Sequence, residues 1–203
     1  YAVSQKIPCV LVNSYSDKLP SVLSDNRKGA YLAGRYLIEH GHKTVALLAG
    51  VRSYLSNQER TAGFLQAFQE EGLSIPPELI LETGSWLYDA AEKVCLNFFN
   101  TYTGEMPTAL FAFNDRLATG AINAICKTGR TVPDDVSVIG YDNLGYYNII
   151  SPRITTVETH IEAISESTVM HMIWQLNNGS CLPVKVLTPV EVISGETVRS
   201  LLC

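Results

Sequence analysis

Six polar or aromatic residues stand after apolar segments of the chain. In an open parallel sheet, the side chains that bind a small molecule lie at this place, beyond the carboxyl ends of the strands. They are Asn13, Ser56, Arg60, Trp86, Asn114 and Asp142. A guanidinium group and a carboxylate form bidentate hydrogen bonds with neighbouring hydroxyls, amides add donors and acceptors, and an indole covers the flat face of a ring. This combination predicts a site for a sugar or a nucleoside. The alternative is that each polar residue only caps the next helix or closes a turn.

Other residues of chemically useful type have simpler explanations. Asp115 is expected to cap the free amides of the helix that it begins, and Asp134 and Asp135 are expected to be solvated turn residues. The four histidines do not have the spacing of metal ligands, and the five scattered cysteines include no C-x-x-C pair. The sequence therefore predicts no metal site, no cofactor and no disulfide framework.

Enzyme motifs that often accompany α/β folds are absent from the sequence. It contains no G-x-S-x-G elbow, no G-x-x-x-x-G-K-[ST] phosphate loop and no G-x-G-x-x-G fingerprint. These absences favour a binding protein over an enzyme. A hydrolase or a sugar-modifying enzyme stays open as an alternative, because a catalytic triad can be spread along a chain.

The elements that must position these side chains alternate between apolar strands and amphipathic helices. Strands are predicted at PCVLVN, KTVALLAG, ELILETG, TALFAFND and VSVIGYDN, and helices over about 26–40, 58–72, 88–100, 117–129 and 161–177. Two short strands around PVKVL and VEVIS are expected to complete sheets begun earlier. Continuously apolar strands are typical of a parallel sheet covered by helices on both faces. We therefore predict a doubly wound α/β fold.

Composition and charge restrict the partners of the chain. It is 46% hydrophobic with a formal net charge of −5, and it has no cluster of Lys and Arg, so these residues alone are not expected to bind DNA. No apolar run is long enough to cross a bilayer, and the first residues lack the features of a secretory signal. A cytoplasmic location without a membrane partner is expected.

The segments of the chain, taken in order, resemble those of a known family. They are LVN, LPSVLSDNRKGAYLAGRYLIEHGHKTVALLAG, R-x-x-G-F at 60–64, PTALFAFND, VPDDVSVIGYDN and SPRITTV. Their order over nearly the whole chain resembles the effector-binding domain of lactose-repressor/galactose-repressor (LacI/GalR) transcription regulators. This resemblance implies a two-lobed, periplasmic-binding-protein-like (type I) fold, and it implies effector contacts at the six positions named above.

The resemblance also implies a domain organisation. Residues 1–23 and 160–187 would be a remnant of the N-terminal lobe, and residues 24–158 and 188–203 would form the C-terminal lobe, with crossovers near 23–25, 158–160 and 187–189. Family members begin with a DNA-binding helix-turn-helix head and the first part of the N-terminal lobe, so we expect one lobe to be incomplete. Gly195 stands where the family usually has an arginine.

The implied function is small-molecule sensing in a transcription repressor. A sugar or related polar effector would bridge the lobes and favour one lobe angle, which in a homodimer would control DNA binding by the separate heads. Whether the effector releases or promotes DNA binding stays open. A phosphorylated effector is less favoured, because no Lys/Arg cluster follows the strands. A transport-type sugar-binding protein of the same fold is the alternative.

Overall fold

A computed structural model of the chain describes residues 4–5, 7–144, 151–179 and 182–202. In chain order its elements are β1 (Leu11–Val12), β2 (Ser21–Ser24), α1 (Asn26–Glu39), β3 (Val45–Ala49), α2 (Leu55–Glu70), β4 (Ile80–Glu82), α3 (Tyr88–Thr101), β5 (Ala109–Ala112), α4 (Asp115–Lys127), β6 (Ser137–Asp142), β7 (Thr155–Glu158), α5 (Ile161–Asn178), β8 (Lys185–Thr188) and β9 (Glu191–Ile193). The chain divides into two compact units. The first unit is Tyr1–Asn26 with Thr159–Val190, and the second unit is Arg27–Glu158 with Glu191–Cys203.

The first unit contains a three-stranded parallel sheet in the order β1-β2-β8. The sequence predicted a single strand before the first helix, and that prediction was wrong because β2 is a second one. This strand is short and carries serine at both ends, yet all four of its residues are buried. The amide side chain of Gln175 on α5 both donates to and accepts from the backbone of Cys9, each bond being 3.1 Å long, and so ties the segment before β1 to α5.

The second unit contains a six-stranded sheet in the order β4-β3-β5-β6-β7-β9, in which only the β7–β9 pairing is antiparallel. Every residue of β3 and of β5 is buried, which requires that both faces of the sheet be covered. The predicted α/β fold with parallel sheets is confirmed. The two returning strands are also confirmed, because β8 pairs with β2 and β9 pairs with β7.

An aromatic core supports α2 on the sheet of the second unit. The ring of Phe64 on α2 lies 4.8 Å from the ring of Phe111 on β5, and Phe111 lies 6.4 Å from Tyr141 on β6. All three side chains are fully buried. At Gly63 a Cβ atom would lie 2.0 Å from the carbonyl oxygen of Arg27, so only glycine permits this approach of α2 to α1. The position of α2 is therefore closely defined.

The last residues of the second unit are held against its sheet by buried polar contacts. The Thr197 hydroxyl donates to the carbonyl of Val138, at 2.6 Å, and accepts from the amide of Thr155, at 2.9 Å. The His42 ring lies 3.0 Å from both the Thr108 hydroxyl and the Arg199 carbonyl oxygen.

Within the described residues, no helix has both the length and the apolar character needed to span a membrane.

Candidate functional site

The carboxyl ends of β4, β3, β5 and β6 meet at one edge of the second unit's sheet, because these strands are neighbours and run parallel. Five of the six residues predicted to bind an effector follow these strands: Ser56 and Arg60 on α2, Trp86 after β4, Asn114 after β5, and Asp142 at the end of β6. The sixth, Asn13, follows β1 in the first unit, where it is exposed and has a φ of 51°. Its role stays a prediction.

Arg60 and Asp142 form an ion pair at this edge. Nη2 of Arg60 lies 3.3 Å from Oδ1 of Asp142, and Nη1 donates to the carbonyl oxygen of Phe113. The guanidinium carbon also lies 3.6 Å from the centre of the Tyr141 ring. The Arg60 side chain is only 8% exposed, whereas that of Asp142 is 27% exposed. The arginine is thus fixed by three contacts, and the carboxylate remains the more accessible partner.

Asp142 occupies this place in a conformation that L-residues rarely adopt. Its φ is 107°, and the next residue, Asn143, has a φ of 51°. Burial raises the pKa of Asp142 above its usual range, and the Arg60 guanidinium acts in the opposite direction. Unusual backbone geometry of this kind is concentrated at functional sites, where the surrounding structure maintains it.

Trp86 and Asn114 are joined at the same edge. The indole ring of Trp86 packs on Gly50, where a Cβ atom would lie 2.6 Å from the ring, so this contact requires glycine. Nδ2 of Asn114 lies 3.4 Å from the carbonyl oxygen of Trp86. The indole Nε1 is buried without a hydrogen-bond partner among the described residues. The ring of Tyr54, which is half exposed, lies 6.1 Å from the indole.

The cap of α4 differs from the one predicted. Asn114, and not Asp115, is the N-cap residue, since Oδ1 of Asn114 accepts from the Leu117 amide at 2.7 Å. Asp115 begins the helix but is 2% exposed, and its Oδ1 accepts from the hydroxyl of Thr156 at 2.6 Å. The prediction that Asp115 is the cap was therefore wrong. Because α4 begins at Asp115, the side chain of the residue before it, Asn114, is the one that faces the free amides.

The loop between β3 and α2 is organised by a residue that the sequence did not single out. Asn57 is buried, and its Oδ1 accepts from the Gly50 amide at 2.9 Å. Ser56, beside it in the first turn of α2, is partly exposed.

Among the described residues, no group of three or more His, Cys, Asp and Glu side chains is placed to hold a metal ion.

This arrangement is suited to binding an uncharged polar molecule. The carboxylate of Asp142 accepts hydrogen bonds from hydroxyl groups, and the neighbouring Arg60 already balances its charge. An additional anion would gain less from a guanidinium group that is engaged in this way. An indole ring and the exposed ring of Tyr54 supply flat apolar surfaces for a ring-shaped ligand.

The chain resembles known proteins over nearly its whole length. The family of periplasmic binding protein-like domains matches residues 35–198. The chain is 31% identical over 210 residues to the "Probable HTH-type transcriptional repressor ExuR" of Bacillus subtilis, covering 99% of this chain and 60% of that protein. It is 33% identical over 196 residues to the HTH-type transcriptional repressor PurR of Pasteurella multocida, covering 96% of this chain and 58% of the relative. The chain thus spans less than two thirds of the length of these curated relatives.

A solved structure agrees with these relatives. The dimeric Lac repressor with an 11-residue C-terminal deletion superposes on the chain with a TM-score of 0.85 at 26% identity, covering 96% of this chain and 70% of that one. The sequence match, the fold and the solved structure all lead to the same family. The chain therefore belongs to the family of periplasmic binding protein-like domains, in the form that LacI/GalR-type transcription regulators carry.

Proposed function

We propose that this chain is the sensor domain of a LacI/GalR-type repressor and that it binds a neutral polyhydroxylated effector, a sugar first of all. The observation that supports this most is the Arg60–Asp142 pair, in which a buried guanidinium orients a partly exposed carboxylate at the carboxyl edge of a parallel sheet. Ligands of open parallel sheets bind at this edge. The proposed contacts in the second unit are Ser56, Arg60, Trp86, Asn114 and Asp142.

The proposed domain organisation follows the two compact units. The first unit corresponds to the N-terminal lobe of the family and the second unit to the C-terminal lobe. Asn13 is proposed as the effector contact of the first unit, and an Asn13→Ala variant tests it separately from the others. Mutation therefore tests the proposed contacts of each unit by themselves.

The regulatory role that we propose rests on the relatives. Two are HTH-type transcriptional repressors, and the Lac repressor structure is dimeric. We propose that the working protein is a cytoplasmic homodimer and that DNA is bound by a helix-turn-helix head outside these 203 residues, whose net charge is −5. Effector binding would act by population shift, favouring whichever conformation of the repressor binds the effector more tightly.

Calorimetric titration of the chain with five compounds tests the proposal. Glucose, ribose, cellobiose, glucose 6-phosphate and adenosine represent the neutral sugars, the disaccharides, the phosphorylated sugars and the nucleosides. We expect saturable binding of a neutral sugar, and we expect Asp142→Asn to weaken it by about tenfold or more, since hydrogen bonds to charged groups contribute about 1.5–3 kcal/mol.

A matched control is available for the arginine. Arg35 on α1 pairs with Glu39 at 3.5 Å and with Glu71, which follows the last residue of α2, so Arg35→Ala removes an equal charge away from the carboxyl edge and should leave affinity unchanged. Arg60→Ala should abolish or strongly reduce binding. If the folded chain binds none of the five compounds, or if both arginine variants behave alike, the proposed effector site is wrong.

A further inference from the structure

The segment that carries Asp142 needs support, because two successive residues without glycine's freedom have positive φ. These are Asp142 at 107° and Asn143 at 51°. Such a backbone persists only where other contacts hold it. One contact comes from β7, since the side-chain amide of Asn143 donates to Glu158. The second source of support is Asp115 at the start of α4.

The carboxyl of Asp115 lies behind this segment and is 2% exposed. Its Oδ1 is fixed by the Thr156 hydroxyl at 2.6 Å. The backbone N–H groups of Asn143 and Leu144 act on the same carboxyl and favour its charged form. Oδ2 is buried without a hydrogen-bond partner among the described residues.

The strand also leaves room for this carboxyl. At Gly140, two residues before Asp142 on β6, a Cβ atom would lie 2.2 Å from Oδ1 of Asp115. Any side chain at position 140 would have to displace the Asp115 carboxyl. The close approach, the Thr156 hydroxyl and the two N–H groups together define one place for a carboxylate beneath the Asp142–Leu144 segment.

We propose that Asp115 is a positioning residue, whose carboxylate holds the Asp142–Leu144 segment in the conformation that presents Asp142 to the effector. The inference rests on the proposed function only in treating Asp142 as an effector contact. Asp115 itself is not proposed to touch the effector. The chain would then carry two carboxylates with separate roles, one that binds and one that orients it.

The position of Asp115 makes its charge sensitive to pH near neutrality. The pKa of Asp115 is raised to about 7, mainly by burial and also by the charge of Asp142, while the hydrogen bond from Thr156 acts in the opposite direction. Two ionisable groups of the neighbouring elements contact the same segment: Arg60 on α2 pairs with Asp142, and Glu158 on β7 accepts from Asn143. Acidification through pH 7 therefore removes the charge that orients the two N–H groups.

The loss of this charge should affect stability and binding in opposite directions. The folded-state pKa of Asp115 is higher than the unfolded value of 3.8, so its stabilising contribution is complete below pH 3.8 and is lost as pH rises through about 7. At pH 8 the wild-type chain keeps a buried charge that Asp115→Asn lacks. We expect this variant to melt at a higher temperature than wild type at pH 8, although it binds the effector more weakly. A purely structural residue would lose both properties.

The first test is amide hydrogen exchange of Asn143 and Leu144, measured by NMR on the 203-residue chain at pH 8 and pH 6. Asp115→Asn should lower the protection factors of both amides by about tenfold at pH 8, because it removes the negative charge that attracts the two N–H groups. The difference from wild type should shrink at pH 6. Asp89→Asn, an exposed aspartate in the first turn of α3, is the matched control and should change neither amide.

Gly140→Ala is the second variant, and it displaces the carboxyl without removing its charge. It should lower the protection of the same two amides. Unchanged protection in both folded variants would overturn the positioning role, whether or not an effector is known.

The binding test uses whichever of the five titrated compounds binds the wild-type chain. Asp115→Asn should weaken that binding by about tenfold at pH 8, because Asp142 is then no longer held in the conformation that meets the effector. Unchanged affinity would show that the segment is held but does not matter for the effector, and would overturn the inference. If no compound binds wild type while the two amides respond as expected, the proposed function fails and the positioning of the segment stands.

Discussion

Arg60 and Asp142 are 82 residues apart in sequence, and Nη2 of the first lies 3.3 Å from Oδ1 of the second. Two features of the fold produce this pair. The Phe64–Phe111 contact fixes the rotation of α2 on the sheet, and the pairing of β5 with β6 places the end of β6 beside the residue that accepts from Nη1, Phe113. The Arg60–Asp142 pair therefore depends on the packing of α2 and on the pairing of β5 with β6, and not on one side chain alone.

Replacement of either member of this pair should weaken effector binding. We expect Arg60→Ala and Asp142→Ala each to reduce the binding free energy by roughly 2–4 kcal/mol, because each leaves a desolvated partner unpaired. The double variant should lose less binding free energy than the sum of the two losses, since the second substitution removes a side chain whose partner is already missing. Calorimetric titration of the three variants measures this coupling. Additive losses would indicate that the two side chains bind the effector independently.

Trp86 should contribute to binding more than to stability. Trp86→Ala is expected to weaken effector binding by about 1–3 kcal/mol if the ring covers an apolar face of the ligand. Trp86→Phe should bind almost normally, and it removes a buried N–H that has no partner among the described residues. The chain has two tryptophans, so a Trp174→Phe background isolates the fluorescence of Trp86 and serves as the control. A large loss of unfolding free energy with unchanged affinity would make Trp86 a core residue.

The ends of β3, β5 and β6 could be predicted from the sequence to within two residues because buried parallel strands are continuously apolar, whereas β2 was missed because it is short and has serine at both ends. The pairing of Arg60 with Asp142 could not, since it depends on the rotation of α2. The choice between Asn114 and Asp115 as the helix cap also lay beyond the sequence, because helix boundaries are uncertain by a residue or two. Asn57 gave no signal, since its hydrogen bond to Gly50 becomes visible only once the loop is folded.

His42 should make the chain less stable in mild acid. Its ring is fully buried; burial lowers its pKa, and the Arg199 carbonyl acts in the opposite direction. The unfolded chain therefore binds more protons than the folded chain below about pH 6.5, and the free energy of unfolding falls as pH decreases from there. One such group gives a slope of at most about 1.4 kcal/mol per pH unit.

Chemical denaturation between pH 5 and pH 8, in wild type and in His42→Gln, measures this dependence. The glutamine amide can still donate to the Arg199 carbonyl but does not titrate. The difference in unfolding free energy between the two proteins should therefore change with pH below about 6.5 and be constant above it. A difference that is independent of pH would mean that His42 is not protonated on unfolding.

Gly195 should not tolerate the arginine that the resemblance to LacI/GalR regulators implies at this position. A Cβ atom there would lie 2.3 Å from the Arg153 carbonyl oxygen and 2.5 Å from the Ile154 carbonyl carbon. Backbone atoms cannot move aside as a flexible side chain would. A side chain would therefore push the 194–197 segment away from the residues that lead into β7.

The hydrogen bonds that a side chain at position 195 would displace determine how far the free energy of unfolding falls. The Gly195 amide donates to the Thr155 hydroxyl at 2.9 Å, and the Thr155 amide donates to the Thr197 hydroxyl at the same distance. We expect Gly195→Arg to reduce the unfolding free energy by roughly 2–4 kcal/mol, as overpacking with loss of buried hydrogen bonds does. Ser200→Arg adds the same charge at an exposed position three residues after that segment and should be nearly neutral. Equal denaturation midpoints for the two variants would contradict the close backbone approach, because in that case only the added charge would matter.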